Sequence, residues 1–459
     1  MKPETLLSVA AVVIVAACAS NGESSMPATS SPATSSPATS SVTVEGTSVA
    51  PSTDAARDMD ASQGRDLVLA WLNGTSPSQA EYEELFDDVF LREVPHSDFE
   101  ELRGQLASEA PWVAGDILRD DEFETEFRVT SEVGGTLLVS IVIDADSGRF
   151  TGLFFVPDIE FDTPTSTDAA IERLREFGTL RLLVADAANG TCVPVVDVDS
   201  NEVMALGSAF KLYVLGAVVT AAGEGTISWE TPVTIDDALD SLPSGDTQDL
   251  EPGTERTVRE LAEVMISASD NTATDHLFDL VGRDAVEAVL GPMGNDAVDR
   301  NMPFLTTREL FVIKWGPDGL ADRYRDAEES ERRALLDGEV AVASLPAAST
   351  VDPQVPVQVE EVEWFASPQA LCRALVWLSA DETATEILAV NPGVRDETGQ
   401  WEQILFKGGS EPGVLAVAWL TSRNDGTVQV TAGSVVNPSA PVGDIEPAQL
   451  FGYLRDNAG

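Results

Sequence analysis

The sequence predicts a multidomain α+β protein: a small helix-plus-antiparallel-sheet domain, then a larger domain with an antiparallel sheet, flanking helices and an all-helical subdomain. The chain has 459 residues, which is enough for two domains, and 43% of them are hydrophobic, as packed cores require. Helical patterns give way to alternating strand patterns before Pro157. Strands, helices and strands again follow, which indicates a sheet completed by both ends of one domain.

The first residues predict an export signal. Residues 1–18 contain Lys2 and an apolar run that is shorter than the roughly 20 residues of a membrane span. The run ends at Val15–Cys18, which resembles the lipobox of bacterial lipoproteins. That resemblance implies a lipidated Cys18 and a protein anchored to the membrane outside the cytoplasm. A plain signal peptide with a coincidental cysteine is the alternative.

Residues 19–62 predict a disordered tether. They are rich in Ser, Thr, Pro and Ala, and a Pro-Ala-Thr-Ser-Ser unit repeats from Pro27 and Pro32. Such a composition offers too few apolar groups to form a core, so we expect an extended linker.

Residues 63–160 predict the small α+β domain. Ser78 with Glu81, and Ser97 with Glu100, have the spacing of capping boxes and indicate two helices. Three strands of an antiparallel meander follow, at 127–132, 136–143 and 150–156. No catalytic cluster is evident in this domain, so we expect a packing module.

Residues 166–459 predict the larger domain. A helix and two strands open it, helices fill its middle, and three strands with a final helix close it. The clearest segments are 168–177, 180–186, 191–198, 258–280, 401–407, 414–422, 428–435 and 447–455. A cleft between the sheet and the helical region is the expected place for a site.

The composition excludes several kinds of function. A formal net charge of −51 argues against nucleic acid as a partner, because phosphate binding needs a basic surface. The two histidines, His96 and His276, are too few for a histidine-rich zinc site, and we expect no metal or other cofactor. Cys192 and Cys372 could pair in an oxidising compartment or remain as small buried hydrophobes.

Lysine is scarce in this chain. Of 27 basic residues, only Lys2, Lys211, Lys314 and Lys407 are lysines. Arginine cannot shuttle protons because its pKa stays above about 12, so a lysine-specific role is worth testing where lysine persists. Lys314, within a predicted helix, is expected by default to lie on the surface.

The first catalytic candidate lies in Leu206–Leu215, a small-residue turn that leads into an apolar helix. Ser208 and Lys211 are three residues apart and share a helix face, so the lysine can take the serine proton. Backbone N–H groups at the helix start can stabilise an oxyanion. An ordinary amphipathic helix is the alternative.

The second candidate is Ser267–Ala273, a short break between helical segments. Ser269 could pass a proton between the lysines and a leaving group, and Asn271 could hold a substrate carbonyl. A helix cap is the alternative, because Ser, Asp and Asn all cap helices well.

The third candidate is Phe406–Ser410, a strand that ends in a lysine and two glycines. Glycine at Gly409 allows a ligand to approach the backbone, so the strand edge can pair with an extended substrate. Lys407 would attract a substrate carboxylate and influence the proton shuttle. The N–H of Ser410, with that of Ser208, would bind the oxyanion. A strand running into a glycine turn is the alternative.

Together, Ser-x-x-Lys, Ser-Asp-Asn and Lys-x-Gly, in this order, resemble class A β-lactamases and penicillin-binding serine hydrolases. The resemblance implies a β-lactamase-like fold and an acyl-enzyme on Ser208, formed from β-lactam or ester substrates. The segments 303–311 and 407–413 also resemble a two-domain actinobacterial family that includes a clavulanic-acid cluster protein and mycobacterial lipoproteins. In that family the first domain is similar to isomerase and cyclase folds, and the second is linked to ester cleavage on cephalosporins.

Two departures from class A sequences limit this interpretation. Class A enzymes activate the deacylating water with a glutamate on an Ω loop. In this chain the corresponding segment, 291–301, is short, and it contains Asp296 and Asp299 but no glutamate. Glu309 falls inside the next predicted helix, and Gly408 replaces the usual threonine or serine. We therefore expect acylation with slow release. A penicillin-binding-type cell-wall peptidase and a catalytically weak cell-envelope binding lipoprotein are the alternatives.

Overall fold

The chain divides into two units, Met1–Glu160 and Phe161–Gly459. A computed structural model describes residues 59–87, 90–91, 94–145, 147–158, 161–394, 396 and 398–458. Cys18, the predicted signal and most of the predicted tether lie outside the described residues. Within the described ranges, no helix has the length and apolarity needed to cross a bilayer.

The described residues of the first unit include three helices with defined bounds and a four-stranded antiparallel sheet. The helices are α1 (Ala61–Leu72), α2 (Gln79–Leu85) and α3 (His96–Ala107), and the strands are β1 (Val113–Asp120), β2 (Glu124–Ser131), β3 (Gly135–Ile143) and β4 (Phe150–Pro157). The strands lie in chain order across the sheet. Their inward side chains pack with a cluster of aromatic rings, Trp71, Phe86, Phe99 and Phe150.

Sequence patterns located most of these elements but misjudged three. The Ser78–Glu81 capping box is present, whereas α3 starts after Pro95, before Ser97, without a side-chain cap. Asp60 and Gln63 form a capping box that starts α1 before the predicted end of the tether. Strand β1 escaped prediction because all its residues are exposed, so it shows no apolar alternation.

The second unit surrounds a five-stranded antiparallel sheet in the order β11-β12-β13-β5-β6. These strands are β5 (Thr179–Asp186), β6 (Val193–Val198), β11 (Gln403–Glu411), β12 (Val414–Ser422) and β13 (Val428–Val436). Short pairs are formed by β7 (Met204–Ala205) with β10 (Phe365–Ala366) and by β8 (Pro232–Thr234) with β9 (Glu255–Thr257). The sheet therefore unites the two ends of the unit, as predicted.

Helices cover both faces of this sheet. On one face lie α4 (Thr167–Phe177) and α14 (Ile445–Asn457). The other helices are α5 (Lys211–Gly223), α6 (Val258–Ser267), α7 (Asn271–Val281), α8 (Arg283–Leu290), α9 (Thr307–Trp315), α10 (Leu320–Asp326), α11 (Glu329–Leu335), α12 (Pro368–Leu378) and α13 (Glu382–Ala389). Strands β12 and β13 are buried along almost their whole length, because both faces are covered.

The region after α8 is larger than the sequence reading suggested. Residues 291–364 separate α8 from β10, and they contain α9, α10 and α11. Strand β10 pairs with β7, directly before the turn that carries Ser208. The short segment 291–301 is thus only the start of a longer connection that ends beside the nucleophile turn.

Lys314 does not lie on the surface, so that expectation is wrong. Its side chain is 0% exposed, and its ammonium pairs with Glu411 at 2.6 Å and with Glu363 at 3.8 Å. A helix pattern cannot reveal such a position, because both carboxylates come from distant parts of the chain.

Cys192 and Cys372 form a disulfide, which the sequence left open. The bond joins the start of β6 to α12 across a separation of 180 residues. Closing so long a loop restricts the unfolded chain, so the bond is expected to stabilise the folded unit.

We predict that the Cys192→Ala/Cys372→Ala double variant loses about 2–4 kcal/mol in free energy of unfolding. Urea unfolding monitored by tryptophan fluorescence would measure the loss. As a control, reductant should lower the stability of the wild type and leave the double variant unchanged. Equal stability of wild type and double variant without reductant would contradict a stabilising disulfide.

Candidate active site

Ser208 lies in a tight turn between β7 and α5. Residues Gly207–Phe210 form a 3-10 turn, and α5 starts only at Lys211. Gly207 has a φ of 47°, in the left-handed region, and a Cβ there would lie 2.9 Å from the Ser410 nitrogen. Both backbone conformation and space therefore require glycine before Ser208.

The turn is held on both sides of Ser208 by Trp364. The backbone nitrogen of Leu206 donates to the Trp364 carbonyl oxygen at 3.0 Å. The ring of Phe210 stacks on the Trp364 indole with centroids 3.6 Å apart. These contacts fix the backbone of the nucleophile turn, and sequence reasoning missed them because Trp364 lies in an irregular region.

Lys211 is fully buried and reaches the second motif. Its Nζ donates to the carbonyl oxygen of Ser269 and to Asn271 Oδ1 at 2.7 Å, and it lies 3.2 Å from Ser269 Oγ. The predicted contact with the Ser208 hydroxyl is not among these hydrogen bonds. The 3-10 turn changes the relation between Ser208 and Lys211 that a continuous α-helix would give.

Lys407 reaches the same hydroxyl from the sheet. Its Nζ donates to Ser269 Oγ at 2.9 Å and to the Gly408 carbonyl oxygen at 2.8 Å. The Ser269 hydroxyl therefore lies between two buried amines, at 3.2 Å from one and 2.9 Å from the other. This arrangement brings together three of the four predicted catalytic residues.

Burial lowers the pKa of both lysines. The pKa of Lys211 lies well below its usual 10.5, chiefly through desolvation and then through repulsion from Lys407. Desolvation lowers the pKa of Lys407 to about 7. A neutral amine has two N–H donors and one lone pair. A neutral Lys211 would donate to the Ser269 carbonyl oxygen and to Asn271 Oδ1 and keep its lone pair for a hydroxyl.

Ser269 occupies a strained break between α6 and α7. Its φ is 58°, which is uncommon for a residue with a side chain. Asp270 caps α7 through Ala273, and its other oxygen accepts hydrogen bonds from Asp246 and Thr247. Asp270 thus fixes the backbone between α6 and α7 in the conformation that places Ser269 beside the two lysines.

Asn271 is engaged by protein groups on both sides of its amide. Its Oδ1 accepts from Lys211, and its Nδ2 donates to the Leu242 carbonyl oxygen at 2.9 Å. The geometry therefore assigns Asn271 to orienting Lys211, and its contact with a substrate carbonyl stays a prediction.

Gly409 brings β11 into direct contact with the nucleophile turn. A Cβ on Gly409 would lie 2.6 Å from the Ala209 nitrogen and still closer to the Ser208 nitrogen. Ser410 is exposed and follows at the end of the strand. The backbone N–H groups of Ser208 and Ser410 consequently belong to segments in van der Waals contact.

Other candidates from the sequence have structural roles. His276 accepts from the Asp236 nitrogen through Nε2 at 2.9 Å, and its Nδ1 lies 2.8 Å from the Thr272 carbonyl oxygen. Asp296 accepts from the backbone nitrogen of Ser367 at 3.0 Å. Glu309 forms the capping box of α9, as its predicted helix position suggested. No group of three metal-ligating side chains occurs in the described part of the chain.

Two family models match the chain. The model described as "Beta-lactamase enzyme family" matches residues 168–328, and the one described as "ORF 12 gene product N-terminal" matches residues 60–148. The first match covers the nucleophile turn and the second motif. Over these residues the second unit is therefore similar to the β-lactamase family.

The chain is also similar to three known proteins among those compared. β-Lactamase L2 from Stenotrophomonas maltophilia is 29% identical over 243 residues, which cover 51% of this chain and 70% of that protein. A β-lactamase structure from Sphaerobacter thermophilus is 21% identical over 64% of this chain and 94% of its own, with a TM-score of 0.44. The structure of PBP-A is 16% identical over 64% and 96%, with a TM-score of 0.42.

We predict that Gly409→Ala lowers the free energy of unfolding by about 1–3 kcal/mol, because the new methyl group meets backbone atoms of the turn. Gly408→Ala is the matched control. There the methyl group meets the Phe406 ring, a side chain that can move, so a loss below about 1 kcal/mol is expected. Equal losses in urea unfolding would contradict the close approach at Gly409.

We predict that Lys407→Met is stabilising at neutral pH. Between pH 7 and 10.5 the folded protein binds fewer protons at Lys407 than the unfolded chain, so wild-type stability falls as pH is lowered through that interval. Removing the amine should raise the free energy of unfolding by on the order of 1–3 kcal/mol near pH 7.

The gain from Lys407→Met should shrink as the pH rises and disappear only above about pH 10.5, where the amine is neutral in the unfolded chain as well as in the folded protein. Urea unfolding at several pH values would measure it. Arg323→Met, at a half-exposed cation, is the control and should show no such trend. A pH-independent difference for Lys407→Met would contradict the lowered pKa.

Proposed function

We propose that the second unit is a serine acyl-hydrolase that works through an acyl-enzyme on Ser208. The observation that carries the proposal is the Ser269 hydroxyl between the amines of Lys211 and Lys407, beside the nucleophile turn. Lowered pKa values favour neutral amines, which can accept protons. The family match to β-lactamases supports the same chemistry.

In the proposed mechanism Ser208 attacks the substrate carbonyl and its proton passes to Lys211. The C–N or C–O bond of the substrate then breaks, and the leaving group takes a proton from Ser269, which is reprotonated through the lysines. The backbone N–H groups of Ser208 and Ser410 stabilise the oxyanion. The contact of β11 with the turn, at Gly409, supports this pairing.

β-Lactams or esters are the substrates that we propose. Strand β11 lies at the edge of its sheet, so an extended acyl compound can pair with it. The β-lactamase relatives favour β-lactams, and the resemblance to the two-domain actinobacterial family favours esters. The match of residues 60–148 to the ORF 12 N-terminal model is consistent with membership of that family and with an isomerase- or cyclase-like first domain.

We propose that release of the acyl group is slow. The hydrogen bonds of Lys211, Ser269 and Lys407 involve no carboxylate. The nearby carboxylate of Asp275 is occupied by the backbone nitrogens of Thr307 and Arg308. A base for the deacylating water is therefore missing from this hydrogen-bonded group.

We also propose that the protein is exported and anchored to the membrane through a lipid on Cys18. The apolar run before Cys18 supports an export signal. The Cys192–Cys372 disulfide is consistent with an oxidising compartment outside the cytoplasm.

We predict that a penicillin, a cephalosporin or an activated ester leaves a covalent adduct that intact-mass spectrometry detects on the wild type. Ser208→Ala should abolish the adduct. Lys211→Ala should slow its formation by about 100- to 10,000-fold, because the proton acceptor is lost.

Ser410→Ala is the control, since it keeps the backbone N–H and should acylate within about threefold of the wild type. An adduct that persists in Ser208→Ala would assign the nucleophile elsewhere. Absence of an adduct with all three probe classes would overturn the acyl-enzyme mechanism.

A further inference from the structure

Every lysine in the described residues is buried. Lys211 and Lys407 belong to the candidate active site, and the third, Lys314, lies on α9 outside it. The Lys314 ammonium binds both carboxylate oxygens of Glu411, at 2.6 and 2.7 Å, and lies 3.8 Å from Glu363 Oε1. We call Lys314, Glu363 and Glu411 the lysine clamp.

The two carboxylates of the lysine clamp come from the two walls of the proposed oxyanion site. Glu411 ends β11 and directly follows Ser410. Glu363 directly precedes Trp364, and its Oε2 accepts from the Trp364 nitrogen at 2.7 Å. Trp364 in turn binds the nucleophile turn on both sides of Ser208. The Lys314 ammonium thus lies between β11, which carries Ser410, and the Glu363–Trp364 segment, which contacts the turn of Ser208 through Trp364.

We propose that Lys314 is a positioning residue that sets the spacing between the backbone N–H groups of Ser208 and Ser410. The proposal rests on the acyl-enzyme function of the same site. Lys314 does not touch the reacting atoms, and it acts through Glu411 on one side and through Glu363 and Trp364 on the other.

The charge balance of the lysine clamp supports a structural ion pair. Burial, and then repulsion from Glu411, raises the pKa of Glu363 to about 8, while Lys314 opposes that rise. At neutral pH Glu363 is therefore mainly protonated, and the ammonium of Lys314 is balanced by Glu411 alone. A buried ion pair costs desolvation energy, so its partners are held firmly only when both charges are present.

The choice of lysine at this position agrees with the proposal. Within the described residues the exposed cations are arginines, as in the pairs Arg323–Glu339 and Arg325–Asp322. The compact ammonium of Lys314 binds both carboxylate oxygens of Glu411 and also lies 3.8 Å from Glu363 Oε1, which belongs to a different segment. Lys314 is thus suited to joining two segments.

The test compares Lys314→Met and Glu411→Gln, which break the clamp, with Arg283→Met as a matched control. Arg283, on α8, forms a 2.6 Å ion pair with Glu309 of α9, the helix that carries Lys314, and its other hydrogen bond goes to the Phe304 carbonyl oxygen. Glu363→Gln is the conservative variant, because a neutral side chain resembles the protonated acid.

We predict that Lys314→Met and Glu411→Gln slow acylation of Ser208 by a β-lactam about 10- to 100-fold, through misplaced oxyanion donors. Binding of phenylboronic acid, which forms a tetrahedral adduct on serine, should weaken by a similar factor. The dissociation constant of the initial noncovalent complex should change less than about threefold. Arg283→Met and Glu363→Gln should acylate near the wild-type rate at pH 7.

Glu411→Gln serves as the test if Lys314→Met does not fold, because it keeps the shape of the side chain. If Lys314→Met and Glu411→Gln are both acylated on Ser208 at rates within threefold of the wild-type rate, the proposal is overturned. An equal slowing by Arg283→Met would also overturn it, since that result would indicate general destabilisation.

Amide hydrogen exchange separates this proposal from the proposed function. Exchange at residues 205–210 and 408–412 should become faster in Lys314→Met and stay unchanged in Arg283→Met, whether or not the wild type is acylated. A wild type that forms no adduct but shows this exchange pattern would overturn only the acyl-enzyme function. Unchanged exchange in both segments would overturn the lysine clamp.

Discussion

The second unit depends on how it accommodates lysine side chains that are buried away from water. A buried ammonium must either lose its proton or find a carboxylate, because desolvation of an isolated charge is too costly. Burial lowers the pKa values of Lys211 and Lys407, which favours the first course, and hydroxyl, amide and carbonyl groups surround their amines. Lys314 follows the second course through Glu411. The same residue type therefore supplies proton acceptors at one place and an ion pair at another.

Contact between backbones is the second requirement, and it joins the sheet to the site. Gly409 allows β11 to lie against the nucleophile turn, and Gly207 allows the turn to fold back on the strand. The register of β11 with β12, in which Gly409 pairs with Ala416, fixes which backbone atoms meet the turn. Side chains can then approach from three directions: from the turn, from the break at Ser269 and from the strand.

The sequence was sufficient wherever a short pattern decided the outcome. Apolar alternation located β12 and β13, and the three motifs predicted which residues would meet around Ser269. Prediction from the sequence failed where contacts between segments far apart in the chain determine the position of a residue. The burial of Lys314 depends on Glu363 and Glu411, which are remote from it in the chain, and the connection that carries Trp364 has no local pattern that points to the turn.

The two kinds of buried lysine also limit the pH at which the site is complete. The proposed proton transfer through Ser269 needs a neutral amine at Lys407, whose pKa is about 7. This proton transfer is therefore favoured at higher pH. The lysine clamp needs a neutral Glu363, whose pKa is about 8, because a second buried carboxylate charge would exceed the single charge of Lys314. A rise in pH therefore favours the proposed proton acceptor at Lys407 and disfavours the proposed lysine clamp. In the proposed mechanism, proton acceptance and oxyanion geometry are thus coupled through the burial of charge.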